Sequence, residues 1–142
     1  MSHPHILATC NTNRSFNTDD ISFLEDWFTE LVDLIGMQIL IPPKMVYCDT
    51  EGNEGITGLV CIDTSHASLH AWMGENPYFK FDLYSCKDFD TEKVFNHMKA
   101  LDVNTITYTI LDRKCDNDLK TIDRGIRSYD QEGNLRVRIG NW

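Results

Sequence analysis

Residues 55–86 read GITGLVCIDTSHASLHAWMGENPYFKFDLYSC, and this stretch decides the fold. Three runs, Ile56–Ile62, Ala67–Trp72 and Tyr78–Ser85, follow one another at close spacing. Short polar or Gly/Pro connections separate them, the pattern of consecutive antiparallel strands. In the last run Phe79, Phe81 and Leu83 alternate with Lys80, Asp82 and Tyr84. Successive strand side chains point to opposite faces, so one face is buried and the other polar.

Working outward, His5–Cys10 reads as a first strand. After the polar turn Asn11–Asn17, Thr18 is expected to cap a helix whose start is favoured by Asp19 and Asp20. Leu24, Trp27, Phe28, Leu31, Val32 and Ile35 form its apolar stripe, and Gly36 stands at the C-terminal cap. Met37–Ile41 and Lys44–Cys48 read as two strands, or as one interrupted at Pro42–Pro43. Asp49–Glu54 is a polar loop. Asp90 or Thr91 caps a second helix carrying Val94, Phe95, Met98 and Leu101, and Thr105–Leu111 is a strong strand. Asp112–Asn134 reads as polar and turn-rich, with a late strand at Leu135–Ile139. The order is β-α-β-β-β-β-α-β plus a tail. Two helices cannot cover both faces of such a sheet. The expectation is therefore an α+β fold, an antiparallel-rich sheet with both helices on one face, packing sheet-to-sheet as a dimer in an α/β/β/α sandwich.

The 142 residues suffice for one domain with a real core, since 42% are hydrophobic. Lys and Arg total 13 against 22 Asp and Glu, a net charge of −9. That balance argues against nucleic acid and anionic membrane surfaces, both of which need clustered basic side chains. It permits a cationic small-molecule substrate. Residues 1–111 hold 6 basic and 16 acidic side chains, whereas residues 112–142 hold 7 and 6. The five cysteines show no CxxC spacing, so no structural zinc is expected. The beginning MSHPHILATC lacks the pattern of a signal peptide, and no run approaches the roughly 18 apolar residues of a membrane helix. A reducing cytoplasm is the expected setting.

The densest polar cluster is Asp63-Thr64-Ser65-His66-Ala67-Ser68-Leu69-His70. On a helix His66 and His70 could share a metal. On the strand that the flanks favour they lie roughly 13 Å apart, so no metal site is expected there. A Ser near a His also suggests a hydrolase, but no G-x-S-x-G elbow frames it.

The ordered set Gly55-Ile56-Thr57-Gly58, Ser65-His66, His70, Trp72 and Tyr84-Ser85-Cys86 resembles the small bacterial and archaeal S-adenosylmethionine decarboxylases over about residues 5–111. The resemblance implies a proenzyme that makes its own cofactor. The Ser65 hydroxyl would attack the Thr64 carbonyl, and elimination of the resulting ester would leave a chain beginning with a pyruvoyl group. That ketone would form a Schiff base with S-adenosylmethionine and withdraw electrons as carbon dioxide leaves. On the same resemblance His70 and Thr57 are processing residues and Cys86 is the proton donor. Glu75 lies near the family's ribose-binding carboxylate, offset by about one residue. No metal is implied, and the family's dimers pack sheet to sheet with active sites at the interface.

Two departures stand out. Thr64 occupies the position before the cleaved Ser where the family commonly has Glu. The segment Asp49–Glu54 lacks the aromatic and Pro that help build the family's adenine pocket. Three readings follow: an S-adenosylmethionine decarboxylase feeding spermidine synthesis, the same machinery acting on arginine or ornithine, or a non-processing homologue acting as a binding or partner protein. The resemblance divides the chain into a decarboxylase-like domain, residues 1–111, and a C-terminal extension, residues 112–142. Cys48 and Cys61 are expected to pack in the core; Cys115 has no family role.

Overall fold

A computed structural model of the chain describes residues 2–114 and 119–140. Eight antiparallel strands form one sheet: β1 (Pro4–Thr12), β2 (Ile39–Cys48), β3 (Gly55–Ile62), β4 (Ser65–Trp72), β5 (Tyr78–Tyr84), β6 (Val103–Asp112), β7 (Lys120–Tyr129) and β8 (Leu135–Gly140). Their order across the sheet is β2-β3-β4-β5-β1-β6-β7-β8. Two helices, α1 (Ile21–Leu34) and α2 (Thr91–Met98), connect β1 to β2 and β5 to β6.

Alternation fixes which face is buried. Ile6, Ala8 and Cys10 of β1, Ala67, Leu69 and Ala71 of β4, and Phe79, Phe81 and Leu83 of β5 point to the helices. There they join Leu24, Trp27, Phe28, Leu31 and Val32 of α1 and Val94, Phe95 and Met98 of α2 in one core. Trp27 crosses edge-on to Phe81 with ring centroids 5.9 Å apart, and Phe95 lies 4.8 Å from Tyr108 of β6. Both helices therefore sit on the same face, as expected. They are latched to each other as well. Trp27 Nε1 donates to the His97 carbonyl at 2.9 Å, His97 Nε2 lies 2.9 Å from the Trp27 carbonyl, and the two rings stack. The opposite sheet face is covered by no described element.

The caps show how local sequence sets the ends. The α1 cap differs from expectation by one residue. Asn17, not Thr18, accepts from the Asp19 N–H at 2.8 Å, and the Asp20 carboxylate answers from the Asn17 N–H, opening a short 3-10 turn before the helix. At the other end Gly36 (φ 69°) closes a Schellman motif, with Gly36 N–H bonded to Asp33 O and Met37 N–H to Val32 O. Asp90 caps α2 through the Glu92 N–H.

Residues 39–48 are one edge strand, the second of the two readings of that run; Pro42 and Pro43 are absorbed where the register with β3 shifts, which an edge tolerates. Two further expectations change. Cys48 and Cys61 are only partly buried and do not join the core, unlike Cys10. Residues 120–129, expected to be polar turns, form strand β7. Its helix-facing positions are Gly125, Arg127 and Tyr129. Arg127 is buried there because Glu92 takes its guanidinium in two bonds of 2.5 and 2.8 Å and the Phe95 ring lies 4.2 Å beneath it. No helix among the described residues is long and apolar enough to cross a membrane.

Candidate active site

Ile62 pairs with Ser65, so Asp63 and Thr64 alone make the turn between β3 and β4. Thr64 has φ 52°, inside the left-handed region, while Asp63 does not. Only the second turn residue is left-handed, the pattern of a type II turn, which ordinarily takes Gly or Asn there. A β-branched residue in this conformation is an outlier costing on the order of 1–3 kcal/mol. The strain therefore sits on the residue that contributes the carbonyl of the Thr64–Ser65 bond.

The tip is held from two sides. Asp63 N–H donates to the Gln38 carbonyl at 2.9 Å, and Lys87 Nζ donates to the Gly36 carbonyl at 2.7 Å. Lys87 thus draws the bend after β5 towards the end of α1. Ser85 is fully buried in this bend; its Oγ donates to the Lys87 carbonyl, and its N–H bonds to Pro4 O. Cys86 is thereby placed over the tip. Its N–H donates to Ser65 Oγ at 2.9 Å, and its Sγ lies 2.7 Å from Thr64 Oγ1 and 3.7 Å from the Asp63 carbonyl. Thr64 Oγ1 is also 2.8 Å from that carbonyl. Its one proton serves either the carbonyl or the sulfur. Hydroxyl donation from Thr64, and then from Ser65, holds the Cys86 thiol below the usual cysteine range. Cys10 is the opposite case: burial pushes its thiol well up, so it stays a small apolar group.

A second pair lies on the open face. Thr57 and His70 face each other across β3 and β4, with Thr57 Oγ1 3.1 Å from His70 Nδ1. Gly55 and Gly58 flank this position for a steric reason. A Cβ at Gly58 would come within 2.2 Å of Met45 Sδ, and one at Gly55 within 1.8 Å of the Ala71 carbonyl oxygen. His70 is five positions beyond Ser65 on the strand, about 16 Å of rise, and the odd spacing puts them on opposite faces. Glu75 is in the exposed turn beyond the far end of β4. Within one chain, Ser65, Thr64 and Cys86 come together, Thr57 and His70 form a separate pair, and Glu75 meets neither.

The open face also holds a group that sequence spacing did not reveal. Asp82 accepts from His5 Nε2 at 2.5 Å, and His66 Nε2 is 3.4 Å away. Burial pushes the Asp82 carboxyl up, but hydrogen bonding and charge from His5, and then His66, leave it below its ordinary value. His5, His66 and Asp82 come from three strands separated by up to 77 positions in sequence, so only the register β4-β5-β1 assembles them. Three such groups within 4.8 Å could in principle grip a cation. However, Arg113 places a guanidinium nitrogen 3.2 Å from His5 Nδ1. A positive charge therefore already stands beside the cluster. The three side chains are joined through the Asp82 carboxylate. Asp82 and His70 both line a depression of about 460 Å³ on this face, together with Ser68, Lys80 and Thr107. Cys115 lies outside the described residues.

The architecture and the tip define a class: an α+β protein with one antiparallel sheet that presents a strained Xaa-Ser bond beside a cysteine. Residues 4–114 match the family model described as S-adenosylmethionine decarboxylase. The chain belongs to the S-adenosylmethionine decarboxylase family. It is 32% identical over 87 residues to an S-adenosylmethionine decarboxylase proenzyme of Oceanobacillus iheyensis, covering 59% of this chain and 63% of that protein. It is 33% identical over 85 residues to one of Prochlorococcus marinus, covering 58% and 63% respectively. A third similar protein, a proenzyme of Thermotoga maritima, is 41% identical over 46 residues, covering 32% of this chain and 35% of that one. The chain thus spans about 63% of the length of the first two curated relatives.

Proposed function

We propose that the chain cleaves itself between Thr64 and Ser65 and, with the pyruvoyl group that Ser65 becomes, decarboxylates S-adenosylmethionine to the aminopropyl donor for spermidine synthesis. The observation that carries this reading is Ser65 directly after a left-handed Thr64, with the Cys86 N–H on its hydroxyl oxygen at 2.9 Å. These residues fit such a group. The serine is a mid-chain residue in a turn whose strain cleavage would release, and a thiol stands beside it. The pyruvoyl group supplies an electron-withdrawing ketone that no side chain offers. Cys86, in this reading, returns a proton to the substrate carbon after carbon dioxide departs.

In this reading Thr57 and His70 serve processing and Glu75 meets the ribose of the substrate. All three are remote from Ser65 of their own chain, and the reading includes a homodimer formed on the bare sheet face. Exposed Leu7 and Leu59 on that face support it. Residues 1–111 carry the decarboxylase unit and residues 112–142 are an extension, a division supported by the family match ending at residue 114. A cytoplasmic setting is supported by the free thiols Cys10, Cys48, Cys61 and Cys86.

Denaturing mass spectrometry tests the first step, with two fragments expected in place of one 16.4 kDa chain. Carbon dioxide release from S-adenosylmethionine, set against arginine and ornithine, tests the substrate. A whole chain with no amine-trappable carbonyl after long incubation sinks the proposal.

A further inference from the structure

Before its oxygen can attack a carbonyl, the Ser65 hydroxyl must give up a proton, and the described side chains near it offer few acceptors. His70 is about 16 Å away along the strand and faces the other side. The neighbouring imidazole, His66, points onto the open face towards Asp82. Cys86 is the group in place. Its backbone N–H already holds Ser65 Oγ, and its sulfur is within hydrogen-bonding reach of the Thr64 hydroxyl.

We propose that Cys86 also serves the cleavage step itself, its sulfur taking the Ser65 Oγ proton as that oxygen bonds to the Thr64 carbonyl carbon and then passing the proton to the Ser65 nitrogen. An O–C bond forms, the Thr64–Ser65 C–N bond breaks, and one proton travels from oxygen to nitrogen by way of sulfur. The sulfur ends in the state in which it began, and no outside reagent enters. The inference rests on the self-cleavage reading and adds an acid–base residue to it.

Two further features suit the role. The hydroxyls of Thr64 and Ser65 favour the thiolate, which is the form that accepts a proton. Once the sulfur is protonated, Thr64 Oγ1 at 2.7 Å and the Asp63 carbonyl at 3.7 Å are ready acceptors for the S–H. Cleavage then dissolves this arrangement. The Ser65 hydroxyl is lost and Thr64 becomes a chain end bearing a carboxylate, so the sulfur loses a donor and gains a negative neighbour. Both changes favour the protonated thiol. The same atom is thereby a base before the cut and a proton donor after it, with Thr64 setting the first state.

The test follows freshly synthesised full-length chain by intact mass at several pH values, with and without hydroxylamine, which splits an ester but not an amide. Cys86→Ala should slow cleavage by about 10²-fold, the usual scale of positioned acid–base catalysis, and hydroxylamine should release no fragments from it. Cys86→Ser, which keeps the side chain's shape and guards against misfolding of the alanine variant, should slow similarly. Cleavage of either variant at the unsubstituted rate, or a hydroxylamine-labile ester accumulating in Cys86→Ala, overturns the inference while leaving self-cleavage intact. If the unsubstituted chain yields neither fragments nor ester, the self-cleavage reading fails and the inference with it. A second measurement uses the uncuttable Ser65→Ala chain. The pH at which iodoacetamide alkylation of Cys86 rises should move upward when Thr64→Val is added. No response to Thr64→Val also counts against it.

Discussion

Two hairpin turns of this sheet solve the same geometric problem with opposite residues. Between β7 and β8 the left-handed position is Gly133, at φ 82°, where no side chain is strained. Around it Asp130 accepts from the N–H groups of Glu132 at 2.9 Å and Asn134 at 2.8 Å, and Gly133 N–H bonds back to the Asp130 carbonyl. Between β3 and β4 the left-handed position is Thr64, and its hydroxyl reaches only the Asp63 carbonyl and the Cys86 sulfur. One turn is built to close a hairpin. The other holds a bond in a conformation that its residue resists, and the neighbouring serine and cysteine are what make that arrangement useful.

The sharpest way to break this comparison is at the serine. Ser65→Ala should abolish cleavage altogether, read as a single 16.4 kDa mass, whereas Gly133→Ala should cleave like the unsubstituted chain. Next comes the strain. In the Ser65→Ala background, Thr64→Gly should stabilise the fold by about 1 kcal/mol, relief of the left-handed threonine outweighing the extra entropy of an unfolded glycine. A rise in melting temperature of roughly 3–4 °C would report it; a fall would mean that the turn is not strained. Gly133→Ala should move stability the other way by about 1 kcal/mol. A Cβ there meets no atom within 4 Å, so the backbone alone bears the cost.

The smallest effect concerns the anchor of the β7–β8 hairpin. Arg127 holds the Glu92 carboxyl below its ordinary range, chiefly by hydrogen bonding. A carboxyl depressed in the folded state adds stability above its unfolded value, near 4.3, and loses it as pH falls through the folded value. Glu92→Gln should therefore cost on the order of 0.5–1 kcal/mol at pH 7, modest because Glu92 is half exposed. In urea titrations the difference from the unsubstituted chain should shrink below about pH 4. A pH-independent difference would show that the pairing charge is not what holds the hairpin.

How far the sequence carried this reading depends on whether a signal is local. Phe79, Phe81 and Leu83 alternate with polar residues, so β5 was legible at once, and Asp90 and Gly36 announced their caps. Strand β7 was not legible because its core-facing positions are Gly125, Arg127 and Tyr129. An arginine reads as surface until Glu92 on α2 neutralises it and the rings of Phe95 and Tyr108 receive it. Cys48 and Cys61 misled in the opposite sense, since cysteine is so often buried that its type says little about a partly open sheet face. In the candidate site, Ser65 and Cys86 were singled out by residue pattern, yet their contact rests on the bend at Ser85–Lys87 and on Lys87 reaching the end of α1.

Sequence by itself determined the two helices, the run of antiparallel strands from β3 to β5, the acidic body and the short set of reactive side chains. These follow from spacing, and spacing acts on neighbours in the chain. Tertiary structure alone decided that Thr64 is left-handed, that Cys86 rather than His70 stands at Ser65, that Asp82 joins His5 to His66, and that Arg127 can be buried. Each of these depends on strand register or on a contact between distant segments. The free energy of such a contact belongs to the folded pair and to neither residue alone.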